Sequence, residues 1–186
     1  MTFEWTAHRF SGGALAFDLV NTVVYRNQPV KRIDRLTGVE EVAAFAQAAG
    51  KFCATETGVP AIFGPETKSA HRDLTGLREA IDVYFRPLIG GETTANGSLS
   101  ALFAAAAIVS DSNRGTGNLG ALAAVSAMNL LSVVKTGRAK VCPNCDWLFL
   151  DKSKNQSRRW CDMAVCGNRN KAKLHYAKHL ATAEED

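Results

Sequence analysis

The sequence lacks the features that would place it in a non-globular class. It has no internal repeat and no low-complexity tract, and 46% of its 186 residues are hydrophobic, which is normal for a chain that buries a core. Its first ten residues lack the charged start and apolar segment of a secretory signal. We therefore expect a globular, cytoplasmic protein with one ordinary domain and a small appendage.

A membrane span is also missing from the pattern. The longest apolar stretch, residues 119–134, is shorter than the roughly 20 residues that a span needs. Ser126, Asn129 and Ser132 interrupt it. We expect a buried or interfacial helix and no membrane partner.

Catalytic motifs are equally scarce. No motif contains any of the four histidines, which are His8, His71, His175 and His179. No nucleophile and base lie at a spacing that is typical of a catalytic pair. We predict that the protein is not an enzyme; a deep pocket with paired titratable groups in the N-terminal part would argue otherwise. Cys53 stands alone and is interpreted as a small buried hydrophobe.

The charge is distributed unevenly along the chain. The net charge is +4, yet residues 1–134 hold 11 basic and 12 acidic side chains, whereas residues 135–180 hold 11 basic and 3 acidic ones. Such a basic block argues for a second module with its own partner. We predict a first domain over residues 1–136 and a second over residues 137–186.

The first module is predicted to be α+β, mainly helical with a small N-terminal β-hairpin. Phe3, Trp5 and Ala7 alternate with polar residues, and a turn is expected at residues 11–13. Residues 14–24 fit either helical or strand spacing, and we favour a strand that passes into a helix.

Four helices are predicted to follow the hairpin. Apolar residues keep helical spacing over residues 36–49, where Gly50 would stop the pattern, and over residues 74–88, with Pro65 placed where a helix can begin. Ser98 would cap a third helix, and the very apolar fourth helix would end at Gly137.

The clearest chemistry lies in the C-terminal cysteines. They read C-x2-C, then fifteen residues, then C-x4-C, a spacing that lets four thiolates converge on one tetrahedral zinc ion. A disulfide pair is disfavoured by a cytosolic location, and a redox Cys-x-x-Cys by the missing strand and helix context. Four thiolates leave no open position, so we predict one structural Zn²⁺. The ligands would be Cys142, Cys145, Cys161 and Cys166.

A short hairpin and a basic C-terminal helix are predicted around this zinc. Trp147, Phe149 and Leu150 would form the core of the hairpin, and a helix starting near Asn168 would place Arg169 and Lys173 on one face. Basic side chains here are suited to DNA phosphates, and arginine also to guanine edges. A solvated basic face or a surface for an acidic protein are the alternatives. The candidate nucleic-acid contacts are Lys152, Lys154, Arg158, Arg159, Arg169, Lys171, Lys173 and Lys178.

Polar residues near the N-terminus form a second candidate site. Asp18, Asn21, Thr22 and Arg26 recur at near-helical spacing within an apolar segment, and Arg78 would supply an anion partner. They predict a pocket for a small-molecule effector. The alternative is helix capping and a buried hydrogen-bond network.

The cysteine cluster, together with Arg158-Arg159-Trp160-Cys161 and Cys166-Gly167-Asn168-Arg169, resembles the CGNR zinc finger. Gly12-Gly13, Asp18-Leu19-Val20-Asn21-Thr22 and Leu77-Arg78-Glu79-Ala80 are similar to the ABATE domain that usually precedes it. The resemblance implies a bacterial, stress-linked transcriptional regulator whose zinc finger binds DNA. We expect the N-terminal domain to sense a small ligand or to form a homodimer. A zinc-stabilised protein-interaction module with a basic surface for an acidic partner is the alternative function.

Overall fold

The computed structural model describes residues 3–53, 67–95, 97–111 and 119–183, with side chains up to residue 177. Within these ranges, six α-helices and four short strands follow one another, and an α+β, mainly helical fold is thus confirmed. Their order is α1 (Leu15–Val20), β1 (Val23–Val24), β2 (Ile33–Asp34), α2 (Val39–Phe52), α3 (Lys68–Ile89), α4 (Ser98–Asp111), α5 (Leu119–Val133), β3 (Ala139–Val141), β4 (Leu148–Leu150) and α6 (Asn168–Ala183).

The short helix α1 lies at the centre of the molecule. All six of its residues are buried, and it packs against α3, α5 and β4. The buried hydroxyl of Ser126 in α5 accepts a hydrogen bond of 3.0 Å from the Ala16 amide. It thereby satisfies a backbone N–H in the first turn of α1 that has no partner within the helix. A helix that is covered on every side carries apolar residues on several faces, here together with the buried Asp18, which explains the ambiguous spacing of residues 14–24. The expected order was wrong, because the helix precedes the strand.

The predicted N-terminal hairpin is present, but at a different place. Strand β1 pairs antiparallel with β2, with Val23 opposite Asp34 and Val24 opposite Ile33. Among the described residues, the alternating segment near Trp5 pairs with no strand and leads into a 3-10 helix over Ala7–Phe10.

Aromatic packing accounts for that alternating segment. The Trp5 ring lies 5.0 Å from the Phe45 ring of α2, and the Phe10 ring stacks on Phe45 at 5.4 Å. Phe10 also lies 5.2 Å from Phe52, at the end of α2. These contacts help α2 continue through Gly50, where a stop was predicted, since one glycine costs only about 1 kcal/mol in a helix.

Helix α3 begins with a side-chain cap, and α4 begins at the serine that the sequence singles out. Thr67 accepts a hydrogen bond of 3.1 Å from the Ala70 amide and starts α3. Pro65, where this helix was expected to begin, lies outside the described residues. Ser98 is the first residue of α4, but its buried hydroxyl has no hydrogen-bond partner among the described residues, so the predicted side-chain cap is not formed.

Helix α5 is the core helix of this fold. By length and composition alone, Leu119–Thr136 could cross a membrane. In the structure, Ala123, Ala127 and Leu130 are buried, and α5 packs against α1, α3 and α4. The prediction of a buried helix at this position is therefore confirmed.

One hydrophobic core extends across the expected domain boundary. Ala139 of β3 and Leu148 of β4 belong to the same buried cluster as α1, α3 and α5. A second cluster holds the four cysteines with Trp147 and Phe149, as well as Val24 of β1. The division at residues 136 and 137 stays a prediction, and the packing is continuous there.

Candidate metal centre and basic surface

The four C-terminal cysteines converge on one point. Their Sγ atoms all lie within 4.8 Å of one another, and three of the distances, Cys145 to Cys161, Cys161 to Cys166 and Cys166 to Cys145, are 3.6 Å. A zinc ion about 2.3 Å from each of four sulfurs would set them roughly 3.8 Å apart. The arrangement therefore fits one tetrahedral zinc ion, as the spacing predicts.

The first cysteine pair is held in a tight turn at the end of a hairpin. Strand β3 pairs antiparallel with β4, and the Cys142 amide donates to the Trp147 carbonyl at 2.8 Å. The Asp146 amide donates to the Cys142 carbonyl at 2.9 Å, and Asp146 takes a left-handed backbone with φ of 62°. This turn directs Cys142 and Cys145 to the same side.

The second pair sits at the start of the C-terminal helix. A π-helical turn, Met163–Gly167, contains Cys166, and the Asp162 carboxylate caps it by accepting from the Ala164 amide at 2.8 Å. A Cβ atom on Gly167 would lie 2.5 Å from Met163 Sδ and 3.3 Å from Trp160 Cδ1. Glycine at this position lets the turn pack closely beneath the metal site.

The crowded thiols need a cation to ionise together. Hydrogen bonding from Cys145 lowers the pKa of Cys142, and the same contact raises the pKa of Cys145, which burial raises further. A divalent ion at the centre allows all four thiols to ionise, because its positive charge stabilises the four neighbouring thiolates. Asn144 lies close by, with its Nδ2 3.5 Å from Cys166 Sγ.

A buried carboxylate organises the loop between the two pairs. Asp151 is fully buried and accepts from the Ser153 hydroxyl at 2.6 Å, from Lys140 Nζ at 2.7 Å and from the Arg158 amide at 2.8 Å. Although burial raises the pKa of Asp151, the Lys140 and Ser153 contacts bring it below its ordinary value. Asp151 is not among the residues predicted from the sequence; the Asp-x-Ser spacing, typical of an Asx turn, is the signal that could have found it.

The zinc finger is docked on the helical part through polar contacts. Asn21, which directly follows α1, donates to the Leu148 carbonyl and accepts from the Leu148 amide, both at 2.9 Å. Arg86 of α3 donates to the Asp146 carbonyl at 2.8 Å, beside the zinc ligand Cys145. His8 Nδ1 lies 2.7 Å from the Asp162 carboxylate. Each contact joins residues too distant in sequence for spacing to reveal.

The residues predicted to line an effector pocket are placed together, and their side chains contact protein groups. Asp18 accepts from the Gly12 amide at 2.7 Å, and Thr22 donates to the Leu19 carbonyl at 2.7 Å. Arg78 donates to both carboxylate oxygens of Asp34, each at 2.7 Å. Two cavities in the described part of the chain, one lined by Leu88 and Arg159 and one by Trp5 and Arg35, do not include the predicted effector-pocket residues. These contacts form a buried hydrogen-bond network, and the effector pocket stays a prediction.

That network continues as ion pairs along α3. Arg78 and Arg26 both contact Glu79, and Arg26 Nε lies 3.5 Å from Asp82. Asp82 pairs at 2.7 Å with Arg86, the residue that contacts the zinc loop. A chain of alternating charges therefore leads from the N-terminal hairpin to the metal site.

The predicted nucleic-acid contacts divide into two groups. Arg158 is half-buried and serves the fold: it donates to the Trp160 and Cys161 carbonyls, and its guanidinium lies 5.2 Å from the Phe149 ring centroid. Six others are exposed on the loop and on α6, namely Lys152, Lys154, Arg159, Arg169, Lys171 and Lys173. Lys178 lies on α6, but its side chain is outside the described set.

Helix α6 begins at Asn168, as the sequence predicts, and its Lys173 Nζ donates to Asn144 Oδ1 at 3.3 Å. Its side chains from Arg169 to residue 177 are all exposed except the partly covered Asn170. Leu174 and Tyr176 are 62% and 67% exposed. From residue 163 to residue 183 the sequence has no acidic residue.

Fold and site together define a zinc-finger protein, with a four-cysteine module docked on a mainly helical domain. Residues 138–179 match the model of the CGNR zinc finger, and residues 13–136 match the ABATE model, described as "Putative stress-induced transcription regulator". The chain belongs to this ABATE family and carries a CGNR zinc finger, so the resemblance drawn from the sequence is confirmed. No curated protein and no solved structure matches the chain.

Proposed function

We propose that the protein is a bacterial transcriptional regulator that acts in the cytoplasm and binds DNA through its zinc finger. The observation that carries this proposal is α6, an exposed helix that starts at a zinc ligand turn and bears only positive charge. A helix with polar side chains on every face gains little from its own chain and is suited to a partner. The family description agrees with a regulatory role.

The proposed contact chemistry is mainly electrostatic. Arg169 and Lys173 lie one turn apart on α6, and Lys152 and Lys154 lie on the loop between the two cysteine pairs; all four are exposed and can neutralise phosphates. Arg169 is the candidate for a guanine edge, because its planar fork suits that base. Zinc in this proposal has a structural role, and we propose no catalytic step.

The test measures DNA affinity of the zinc-loaded full chain at several salt concentrations. A double variant, Arg169→Ala with Lys173→Ala, removes two charges one helical turn apart. We expect weaker binding and a salt slope smaller by about two, because two phosphate contacts are lost. Lys68→Ala with Arg72→Ala is the matched control, since it removes a lysine and an arginine at the same spacing from an exposed turn of α3.

Two results would contradict this proposal. One is the absence of DNA binding even at low salt, and the other is an equal loss in both double variants. A selection of genomic fragments with the same protein then reports whether particular sequences are enriched.

An acidic protein partner is the second candidate, and the exposed Leu174 and Tyr176 favour it. Exposed apolar side chains on a helix are candidate contacts for a groove on a partner protein. Pull-down of a partner that requires Leu174 and Tyr176, together with no DNA binding, would favour this candidate. The homodimer expected from the sequence stays a prediction, and sedimentation at several concentrations checks it.

A further inference from the structure

A cavity of about 650 Å³ lies between the C-terminal end of α3 and the zinc finger. Its volume is within the range of roughly 300–1,000 Å³ that is common for small-molecule sites. The apolar part of its wall comes from Leu88, Ile89, Val134, Val141 and Pro143. The cavity therefore joins both parts of the chain, and it is distinct from the polar network at Asp18 and Arg78.

The charge around this cavity has one sign. Its charged lining residues are Lys140, Arg158 and Arg159, and no lining residue is acidic. Lys140 is balanced by Asp151 at 2.7 Å. Within the described part of the chain, the hydrogen bonds of the Arg158 guanidinium go to carbonyl groups, and the Arg159 guanidinium lies 5.1 Å from the centroid of the Trp160 ring. Two positive charges at the cavity thus lack a carboxylate partner among the described residues.

We propose that this cavity binds a small organic anion that carries an apolar body. Its acidic group pairs with Arg159, whose side chain is exposed, and with the remaining N–H groups of Arg158. Its apolar body lies against Leu88, Val134 and Val141, where it removes hydrocarbon surface from water. A neutral apolar ligand would leave the cations unpaired, and a small inorganic anion would leave the apolar wall exposed.

Anilinonaphthalene sulfonate serves as the probe, because it combines a sulfonate with an aromatic body and fluoresces when bound. The zinc-loaded full chain is titrated with the dye. Arg159→Ala is expected to weaken binding about fivefold or more, since a charged contact is lost. Arg72→Ala is the control, an exposed arginine near the other end of α3, and it should bind as the unmodified chain does.

A second pair of variants tests the apolar wall. Leu88→Glu places a negative charge beside the cavity and is expected to abolish dye binding, whereas Val83→Glu places the same charge on an exposed face of α3. Retained zinc and an unchanged helical circular dichroism spectrum show that each variant is folded. If the dye does not bind, or binds both cavity variants as well as their controls, the proposal is overturned.

Occupation of the cavity has a consequence that rests on the proposed function. Arg159 is also a candidate DNA contact, so the bound anion and a DNA phosphate compete for it. We expect dye to lower DNA affinity in the unmodified chain and to have no such effect in Leu88→Glu. Dye titrations without DNA test anion binding in the cavity by itself. If the protein does not bind DNA, the result of these titrations is therefore unaffected.

Discussion

The side-chain amide of Asn21 forms two hydrogen bonds with the backbone of Leu148. Its Nδ2 donates to the Leu148 carbonyl and its Oδ1 accepts from the Leu148 N–H, each at 2.9 Å. Asn21 ends the central helix, and Leu148 opens the second strand of the zinc hairpin. A buried pair of this kind cannot be replaced by water, because both residues are sealed inside the core.

Removing the two Asn21–Leu148 hydrogen bonds should lower both the free energy of unfolding and the stability of the bound zinc. Asn21→Ala leaves two buried backbone groups of Leu148 unpaired, and we expect a loss of about 2–4 kcal/mol in the free energy of unfolding. Denaturant unfolding and transfer of zinc to a chromophoric chelator provide the two measurements. The exposed Asn129→Ala is the control and should change both by little. A destabilised fold with unchanged zinc release would contradict the coupling.

Zinc removal is expected to loosen the helical part as well as the finger. Leu148 and Ala139 fill the same core as α1, so a released hairpin uncovers that helix. Hydrogen exchange measured by mass spectrometry, with and without a chelator, should show faster exchange over Leu15–Val20 on chelation. Unchanged protection of this helix would mean that the helical part folds independently.

The features that could be predicted from the sequence are those encoded by the spacing of nearby residues. The cysteine ligands follow from their intervals, and the helices α3 and α6 follow from apolar periodicity and from the start near Asn168. The identity of the central helix α1 could not be read in this way, because burial on all sides removes the periodicity. The docking contacts at Asn21, Arg86 and His8 join distant residues, and only the folded chain brings them together.

The ion pair between Asp34 and Arg78 should make stability depend on pH. Although burial raises the pKa of Asp34, the hydrogen bonds and charge of Arg78 lower it below its ordinary 3.8. A lowered pKa in the folded state gives stability that is present above the unfolded value and is lost as pH falls through the folded value.

We therefore expect Asp34→Asn to cost about 2–4 kcal/mol near pH 7, because Arg78 is left buried without its main partner. The difference from the unmodified chain should shrink below about pH 4, where the carboxylate of Asp34 becomes protonated. Denaturant unfolding of both proteins across this range gives the measurement. Asp73→Asn, on the same helix as Arg78 and more exposed, should show a smaller cost at pH 7; an equal cost would count against the ion pair.

Two glycines should respond to alanine in opposite directions. A Cβ on Gly12 would lie 2.6 Å from the Asp18 carboxylate and 3.0 Å from the Asp18 amide, so we expect Gly12→Ala to cost about 2 kcal/mol or more. Gly76 lies inside α3 with nothing within 4 Å of its added Cβ. Gly76→Ala should therefore stabilise the protein by about 0.5–1 kcal/mol. Thermal unfolding compares the two, and a matching sign for both would refute the packing argument at Gly12.

The core that Leu148 and Ala139 share with α1 bears on how such a gene can evolve. A zinc finger joined by a loose tether can be exchanged between proteins by recombination, since each partner folds without the other. Here a hybrid with a foreign finger would have to replace Leu148, the backbone groups that Asn21 binds and the carbonyl that Arg86 binds. We expect the two segments to be inherited as a pair, with changes on one side of the interface matched by changes on the other.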